Sequence, residues 1–351
     1  MKILVINPGS TSTKVALYEN EEEIVTKSIP VDLEAIKQMD SLYDQLEMRT
    51  NLVNVFLKEN DLTAKDLDVV VSRGGMLPPV QTGAYVIDEN LVDILRNHPA
   101  QIHASNLGAL IADQFVKEAG IPAYVYDPVT VDELSDIARI SGIKGRNRSS
   151  YNHVLNTRSI ALRHCRENGL DYNNITLLCA HLGGGISLNV QKNGRLIDIC
   201  SAEEGPFSSE RAGGLQLFSC VEIVKEEGVE SLLKYESGKG GLVSYLGTND
   251  AREVEKMIDA GHEEAKVVFE AMAYQIAKEI GALAAAVEGK VDGILLTGGM
   301  AYSKRLVNWV IERVSWIAPV NVYPGEFEMK ALAEGAYRVM SGQEIPRYLK
   351  N

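Results

Sequence analysis

The feature that most constrains the fold of this chain is a pattern that occurs twice. In each copy a strand, a glycine-containing turn, a second strand, a tight turn and a third strand follow one another. The predicted strands are residues 2–7, 13–18 and 24–28 in the first copy and 176–180, 187–191 and 195–200 in the second. A constant offset of 174 positions places Asn7 on His181 and Gly9 on Gly183. The repetition predicts two related domains that face each other across a cleft, although two short hairpins can also resemble each other by chance.

Strand and helix patterns alternate between and after these hairpins. Short apolar runs predict buried strands, and apolar residues three and four positions apart predict helices. In chain order the predicted elements are helix 42–57, strand 67–71, helix 108–119, strand 123–126, helix 263–287, strand 293–296, helix 303–314, strand 320–323 and helix 328–340. This alternation predicts an α/β fold.

Composition excludes several classes of protein. The 351 residues carry 35 Lys plus Arg against 48 Asp plus Glu, and the resulting net charge of −13 excludes a basic nucleic-acid-binding protein. The four cysteines form no C-x-x-C pair, which favours buried free thiols in a reducing compartment. The chain has no run of about 18 apolar residues, and its apolar start ends at Asn7, too early for a signal peptide. We therefore expect a cytoplasmic protein that binds neither nucleic acid nor membranes.

Four turns rich in glycine or hydroxyl residues each follow an apolar strand, at residues 7–12, 73–75, 181–185 and 297–299. Glycines at strand ends let backbone N–H groups converge on an anion. Any one such turn is more simply explained as a hairpin or a helix cap, but four of them suggest a polyphosphate ligand. The chain lacks G-x-x-x-x-G-K-[ST], a G-x-G-x-x-G after the first strand and a kinase-type H-R-D. A nucleotide site here must therefore use another architecture.

The motifs and their order resemble those of the acetokinase family. The matching segments are Val5–Lys14, Arg73-Gly74-Gly75, His181–Ser187, Gly205–Ser208 and Leu296–Gly299. The acetate kinases of this family carry His-Gly-Gly in place of the second segment and His-Leu-Gly-Asn-Gly at the start of the third. These differences favour the branch of the family that acts on butyrate.

The resemblance implies the actin-like ATPase fold, with two duplicated ribonuclease H-like domains and with ATP and Mg²⁺ in the cleft. We expect residues 1–150 with 325–351 to form the N-terminal domain, and residues 151–324 to form the nucleotide-binding C-terminal domain. The implied reaction is reversible, direct in-line phosphoryl transfer from ATP to butyrate or a branched short-chain acid, giving an acyl phosphate. The family also implies a homodimer through the second domain, to which residues 276–287 contribute unless they are buried within it.

The resemblance assigns nucleotide and phosphate contacts to the turns. These residues are Asn7, Ser10, Ser12 and Lys14 in the first turn, His181, Gly183, Gly184 and Gly185 in the second, and Gly298 and Gly299 on the adenosine side, with Tyr302 and Ser303 just beyond. For Lys14 the alternative is a solvated strand residue, since lysine is usually exposed.

Four residues match the family's catalytic positions. Arg211 matches the arginine that stabilises charge on the phosphoryl group in transit, a role that suits a planar guanidinium. Asp127 and His153 match residues near that group, and Arg73 is placed to bind the substrate carboxylate or the acyl phosphate. The alternatives are a turn cap for Asp127, a structural histidine for His153 and a surface ion pair for Arg73.

The resemblance places the metal at Glu328, with Asn7 beside it, and Glu326 is the neighbouring candidate. Mg²⁺ characteristically takes one or two carboxylates together with phosphate and water oxygens. The alternative for both glutamates is the favourable position of acidic residues at a helix start. No His or Cys cluster has zinc spacing.

Other functions remain open on the sequence alone. Acetate and propionate are alternative acceptors, because one methylene group in an apolar pocket changes the binding free energy by only about 1–3 kcal/mol. A few pocket residues therefore decide the acyl-chain length. A sugar kinase of the same fold would use Asp127 as a base toward a hydroxyl group. An ATP-dependent switch would need no acceptor, but Arg73, Asp127, His153 and Arg211 argue against it.

Overall fold

The computed structural model describes residues 1–350, which divide into two compact units. The first comprises Met1–Asp132 and the C-terminal segment from Phe327, and the second comprises Glu133–Glu326. Residues 133–150, expected in the first domain, pack with the second unit. Ser135 N–H donates to Ile197 O at 2.9 Å, and Arg148 Nη1 lies 2.9 Å from Asp198 Oδ1. These contacts explain why the boundary lies before residue 133.

The first unit is built on a six-stranded sheet. Its strands are β1 (Lys2–Pro8), β2 (Ser12–Glu19), β3 (Glu22–Pro30), β4 (Val69–Arg73), β5 (Ala84–Val86) and β6 (Ala123–Tyr126). They lie in the order β3-β2-β1-β4-β6-β5, in which β1 is antiparallel to β2 and parallel to β4. Ile3 to Ile6 have no exposed surface, because a strand in the centre of such a sheet is covered on both faces.

The helices of the first unit are Leu33–Lys37, Leu46–Glu59, Glu89–Asn97, Asn106–Ala119 and Glu328–Met340. Helix Asn106–Ala119 packs on β4 and β6 and ends at Gly120, whose φ of +69° forms a left-handed cap. Helix Glu328–Met340 packs on β1 and β4, so the C-terminal segment completes the core of the first unit. Residues 42–45 form a separate 3₁₀ turn and not the first turn of helix Leu46–Glu59.

The second unit is built on a five-stranded sheet. Its strands are β7 (Thr176–Leu182), β8 (Ile186–Lys192), β9 (Arg195–Cys200), β10 (Gly293–Gly298) and β11 (Val320–Pro324). Their order is β11-β10-β7-β8-β9, with β7 antiparallel to β8 and parallel to β10. This is the arrangement of β6-β4-β1-β2-β3 in the first unit. The repeated pattern in the sequence therefore corresponds to a repeated sheet topology, and the predicted α/β fold is confirmed.

The second unit has eight α-helices, all within the part of the chain that the structure describes. They are Asp136–Arg139, Val154–Asn168, Leu217–Glu226, Val229–Lys234, Gly241–Leu246, Ala251–Asp259, Glu263–Ala286 and Lys304–Val314. Helix Glu263–Ala286 packs on β7, β8 and β9, and residues 276, 280, 283 and 287 of the apolar stretch are buried there. That stretch is therefore part of the core. Among residues 1–350, no helix combines the length and the apolar character that a membrane span requires.

Candidate functional site

The first glycine turn joins β1 to β2, and its backbone is closed by a hydrogen bond. Gly9 N–H donates to Ser12 O at 2.8 Å. Asn7 is buried and lies opposite Lys14 in the β1–β2 register, whereas Ser10 and Lys14 are exposed. The turn therefore holds its hydroxyl and amine groups at the surface on a fixed backbone, as anion binding requires.

Three predicted site residues of the first unit meet at one carboxylate. Glu328 Oε2 accepts a hydrogen bond from Asn7 Nδ2 at 2.8 Å and lies 3.3 Å from Arg73 Nη1. Glu328 is the first residue of helix Glu328–Met340, and the two partners end β1 and β4, which are neighbours in the sheet. Its second carboxylate oxygen accepts no hydrogen bond from residues 1–350. One oxygen of this half-buried carboxylate is therefore available to a cation.

His103 lies close enough to Arg73 for the two charges to interact, and the sequence analysis missed it. Part of the His103 ring is exposed, yet desolvation and then the positive charge of Arg73 lower its pKa. Ser105 Oγ lies 2.8 Å from His103 Nδ1 and fixes the ring. A lone histidine in a polar segment carries no spacing signal, so only the fold reveals this proximity.

The two glycines after Arg73 are required by packing. A Cβ at Gly74 would overlap Pro128, and one at Gly75 would come within 2.7 Å of Leu95. The close approach of the neighbouring backbone explains this turn on its own. Of its three residues, only Arg73 therefore has a side chain available for chemistry.

Asp127 follows β6 in an unusual backbone conformation. Its φ is +40°, which an L-residue other than glycine adopts at an energetic cost. Asp127 Oδ1 accepts the N–H of Gly83 at 2.7 Å, and the N–H of Asp127 donates to Gly83 O at 3.1 Å. The carboxylate is thus buried and held against a neighbouring loop.

In the second unit, His181 and His153 stack on each other. Their ring centroids are 4.0 Å apart and their planes differ by 14°. Asn156 Nδ2 lies 2.8 Å from His181 Nδ1. A Cβ at Gly183 would lie 2.7 Å from His181 Nε2. The Nε2 edge of the His181 ring therefore faces the second glycine turn.

Arg211 lies against the same turn. A Cβ at Gly185 would be 3.2 Å from Arg211 Cζ, so the guanidinium packs closely on this glycine. Ser208 connects the two segments: its Oγ donates to Gly184 O at 2.5 Å and accepts the N–H of Arg211 at 3.1 Å. Ser208 was part of the motif that marks the family, but its role as this link was not predicted.

Beside this turn the second unit contains a cavity of about 630 Å³, within the size range of small-molecule sites. Of the residues predicted to bind nucleotide, five line it: Gly183, Gly184, Gly299, Tyr302 and Ser303. The sequence analysis missed the opposite wall, which includes Asn249, Arg252 and Glu255. Ser303 Oγ donates to Glu255 Oε1 at 2.7 Å and so joins the two walls.

Gly298 does not line the cavity, and the need for glycine at this position comes from backbone packing. Its φ is +94°, and a Cβ there would overlap Leu182 O. Gly298 also forms paired backbone hydrogen bonds with Gly325 at 3.1 and 3.0 Å. It therefore brings β10 close to its neighbours, whereas Gly299 faces the cavity.

The two candidate metal glutamates belong to different units. Glu326 lines the cavity of the second unit, and Glu328 contacts Asn7 and Arg73 in the first. Only Glu328 is paired with another predicted site residue.

Comparison with known proteins identifies the family. The chain is 49% identical over 349 residues to a protein of Caldanaerobacter subterraneus subsp. tengcongensis named probable butyrate kinase 2, and the match covers 99% of each chain. It is 43% identical over 353 residues to butyrate kinase 2 of Clostridium acetobutylicum, with the same coverage. A profile of the acetokinase family matches residues 145–318. The chain belongs to the acetokinase family.

The solved structure of an acetate kinase shows the same fold. The crystal structure of the Porphyromonas gingivalis enzyme covers 98% of this chain and 100% of its own, with a TM-score of 0.79 at 19% identity. The predicted actin-like ATPase fold of this acetokinase family member is therefore confirmed. Membership of a kinase family also implies that the protein uses ATP or ADP and a small-molecule substrate.

Proposed function

We propose that this protein catalyses the reversible, ATP-dependent phosphorylation of butyrate, or of a branched short-chain acid, to the acyl phosphate. The observation that carries the proposal is Arg211 packed on Gly185, in the turn to which His181 Nε2 points, in a chain 49% identical to a probable butyrate kinase. A guanidinium and an imidazole at one glycine turn suit the phosphoryl group of an acyl phosphate or of ATP.

The chemistry requires charge stabilisation and no general base. A carboxylate acceptor is already ionised at pH 7 and attacks the γ-phosphorus directly. Arg211 stabilises the charge that builds up on the phosphoryl oxygens, and its planar fork holds two oxygens together. The backbone of Gly183, Gly184 and Gly185 and the His181 imidazole bind the phosphates, and His153 supports the His181 ring by stacking.

The first unit supplies the acceptor side and the metal in this proposal. Arg73 binds the acceptor carboxylate, and Asp127 stands near the transferred group. Asn7, Ser10, Ser12 and Lys14 contact phosphate from the first turn.

The residues at Glu328 fit Mg²⁺, since one carboxylate oxygen is open and the amide of Asn7 lies beside it. Mg²⁺ bound there would neutralise phosphate charge and orient the phosphates. Mg²⁺ needs only one or two protein carboxylates when phosphates supply further oxygens, which matches a single available carboxylate. The cavity beside Gly299 receives the adenosine part of ATP.

We further propose a homodimer in the cytoplasm, formed through the second unit. The apolar stretch 276–287 is buried and unavailable, but helix Leu217–Glu226 has no buried residue. It exposes Leu217 by 74% and Phe218 by 79%, with Val221 and Val224 on the following turns. An exposed apolar stripe of this kind favours a second copy of the chain as its partner.

Three of the four cysteines are buried free thiols, as expected in a reducing compartment.

An acceptor assay tests the main proposal. The protein is incubated with ATP, Mg²⁺ and acetate, propionate, butyrate or isobutyrate, acyl phosphate is trapped as hydroxamate, and ADP is counted. A preference for four-carbon acids is the expected result, and a preference for acetate would move the protein to the acetate branch. ADP formation without hydroxamate from any acid would contradict a carboxylate kinase and favour a sugar kinase or an ATP switch.

A further inference from the structure

Arg49 is a buried cation beneath the first glycine turn, and no role has been given to it so far. It lies in helix Leu46–Glu59, and its side chain has no exposed surface. Its Nε and Nη2 donate to Gln45 Oε1 at 3.0 and 2.9 Å, and its Nη1 donates to Thr13 Oγ1 at 2.9 Å and Ser12 O at 3.2 Å. All of these partners are neutral.

No carboxylate pairs with Arg49 within residues 1–350, which makes its burial costly. Burial lowers the pKa of the guanidinium, but arginine stays protonated at neutral pH. A buried charge is ordinarily matched by an opposite charge, because desolvation of an unpaired ion is strongly unfavourable. A shape-filling apolar residue would hold the helix to the sheet at lower cost. The charge itself therefore calls for an explanation.

The hydrogen bonds of Arg49 converge on one end of the first turn. Ser12 O accepts both Arg49 Nη1 and the N–H of Gly9, the bond that closes the turn. Thr13 is buried and pairs with Pro8 across the β1–β2 hairpin. Arg49 thus holds the backbone on which Ser10 and Ser12 stand, and it places an unneutralised positive charge directly behind them.

We propose that Arg49 is a positioning residue for phosphate, which fixes the Gly9–Ser12 turn and directs a positive field through it toward a phosphoryl group bound on its outer side. This inference rests on the proposed function, because that function assigns the turn to phosphate. Neutral partners leave the field of the guanidinium uncancelled, and a low-dielectric interior screens it little. The anion held by this field is the phosphoryl group of ATP or of the acyl phosphate.

The test compares Arg49→Met and Arg49→Lys with Arg148→Met. Arg148 is an arginine of the second unit whose charge is neutralised by Asp198 and Glu204, so its loss tests the effect of removing a paired arginine far from the turn in sequence. Thermal unfolding reports stability, and kcat and KM for ATP and butyrate report function below the melting temperature. Hydrogen exchange of a peptide spanning residues 3–18, with and without inorganic phosphate, reports the turn.

Arg49→Met is expected to lower kcat/KM about 10–100-fold, the usual effect of losing a supporting residue behind a binding group. It should also speed exchange at Gly9 and abolish the protection that inorganic phosphate gives this peptide in the unchanged protein. Arg49→Lys should recover part of the phosphate protection, because it keeps the charge. Arg148→Met should change the melting temperature but neither kcat/KM nor exchange at Gly9.

An Arg49→Met protein with unchanged kcat/KM and unchanged phosphate protection would overturn the proposal. If Arg49→Met does not fold, Arg49→Lys decides between the two explanations. Partial phosphate protection in Arg49→Lys supports a role for the charge. Complete loss of protection, with the charge retained, would show that Arg49 acts through packing alone. If the unchanged protein phosphorylates no carboxylate, the proposed function fails, whereas the exchange experiment with inorganic phosphate still decides the role of Arg49.

Discussion

Asn7 Nδ2 donates to Glu328 Oε2 at 2.8 Å, although the two residues are 321 positions apart in the chain. The contact forms because helix Glu328–Met340 returns from the end of the chain to pack on β1. It places an amide and a carboxylate beside the first glycine turn. A divalent cation that also binds phosphate oxygens needs little more from the protein.

Replacing Glu328 should therefore weaken the use of Mg²⁺. We expect Glu328→Gln to raise the Mg²⁺ concentration that gives half-maximal activity about 10–100-fold. The matched variant is Glu326→Gln, because Glu326 lines the cavity and not the Asn7 contact. It should raise the KM for ATP with little change in the Mg²⁺ requirement. Titration of Mg²⁺ at saturating ATP measures the difference, and the reverse pattern would assign the metal to Glu326.

Arg211 should contribute mainly in the transition state. We expect Arg211→Ala to lower kcat about 10³-fold, in the range reported for arginines that stabilise phosphoryl transfer. Arg211→Lys should recover little, since an ammonium does not reproduce the two-oxygen fork. Arg195, exposed in the β8–β9 hairpin, provides the control Arg195→Ala with unchanged kcat. Initial rates in the hydroxamate assay measure kcat and KM. A rise in KM of about 10³-fold with unchanged kcat would contradict the prediction and show that Arg211 binds the ground state.

The two adjacent glycines after β10 should respond differently to alanine. At Gly298, positive φ and overlap with Leu182 O predict a loss of about 2–4 kcal/mol in unfolding free energy. At Gly299 no atom lies within 4 Å of an added Cβ, so Gly299→Ala should keep its stability within about 0.5 kcal/mol. Because Gly299 faces the cavity, its variant should instead raise the KM for ATP. Urea unfolding and ATP titration separate the two effects.

The sequence predicted every strand of the two sheets except β5, because the evidence for a strand is local. Each hairpin is marked by a short apolar run and a turn such as Asn193-Gly194, whose geometry depends on neighbouring residues only. Several helices were not predicted, among them Glu89–Asn97, Val154–Asn168, Leu217–Glu226, Val229–Lys234 and Ala251–Asp259. Of these, Leu217–Glu226 and Val229–Lys234 have no buried residue that would impose an apolar periodicity. The acyl pocket is likewise not defined by any local pattern.

The candidate site was predictable only in part, for the same physical reason. The residues on glycine turns could be found from the chain and from the family resemblance. Ser208 bonds to Gly184, 24 positions away, and Arg49 bonds to Thr13 and Ser12, 36 and 37 positions away. The charge of Arg73 acts on His103, 30 positions further along the chain. Asn249 and Arg252 line the cavity from a separate segment. Such contacts follow from packing and leave no spacing signal.

Glu236 should make stability depend on pH. Its Oε2 is buried without a hydrogen-bond partner in the described chain. Burial and then the charge of Glu203 raise the pKa of Glu236 to about 7, and Arg211 opposes this shift. An acid whose pKa is raised by folding favours the folded state while protonated, so this contribution is full below about pH 4.5 and is lost as pH rises through 7.

Glu236→Gln removes that titration. The full shift corresponds to about 3 kcal/mol, and solvent screening of a half-buried carboxyl lowers it to about 1–2 kcal/mol. We expect the variant to be more stable than the unchanged protein by this amount at pH 8 and to lose the advantage at pH 5. Urea unfolding at pH 5, 6, 7 and 8 measures it. The exposed Glu230 gives the control Glu230→Gln, for which no pH-dependent difference is expected.

The exposed apolar stripe of helix Leu217–Glu226 should mediate self-association. Phe218 is 79% exposed and adjoins Leu217 at 74%, so a charge at this position would be buried without a partner in an interface. We expect Phe218→Glu to convert a dimer to a monomer in light scattering across a concentration series. Ile345, 85% exposed in the first unit, supplies the control Ile345→Glu, which should remain dimeric. If Phe218→Glu remains dimeric and Ile345→Glu becomes monomeric, the interface lies in the first unit. If the unchanged protein is monomeric, the homodimer itself is contradicted.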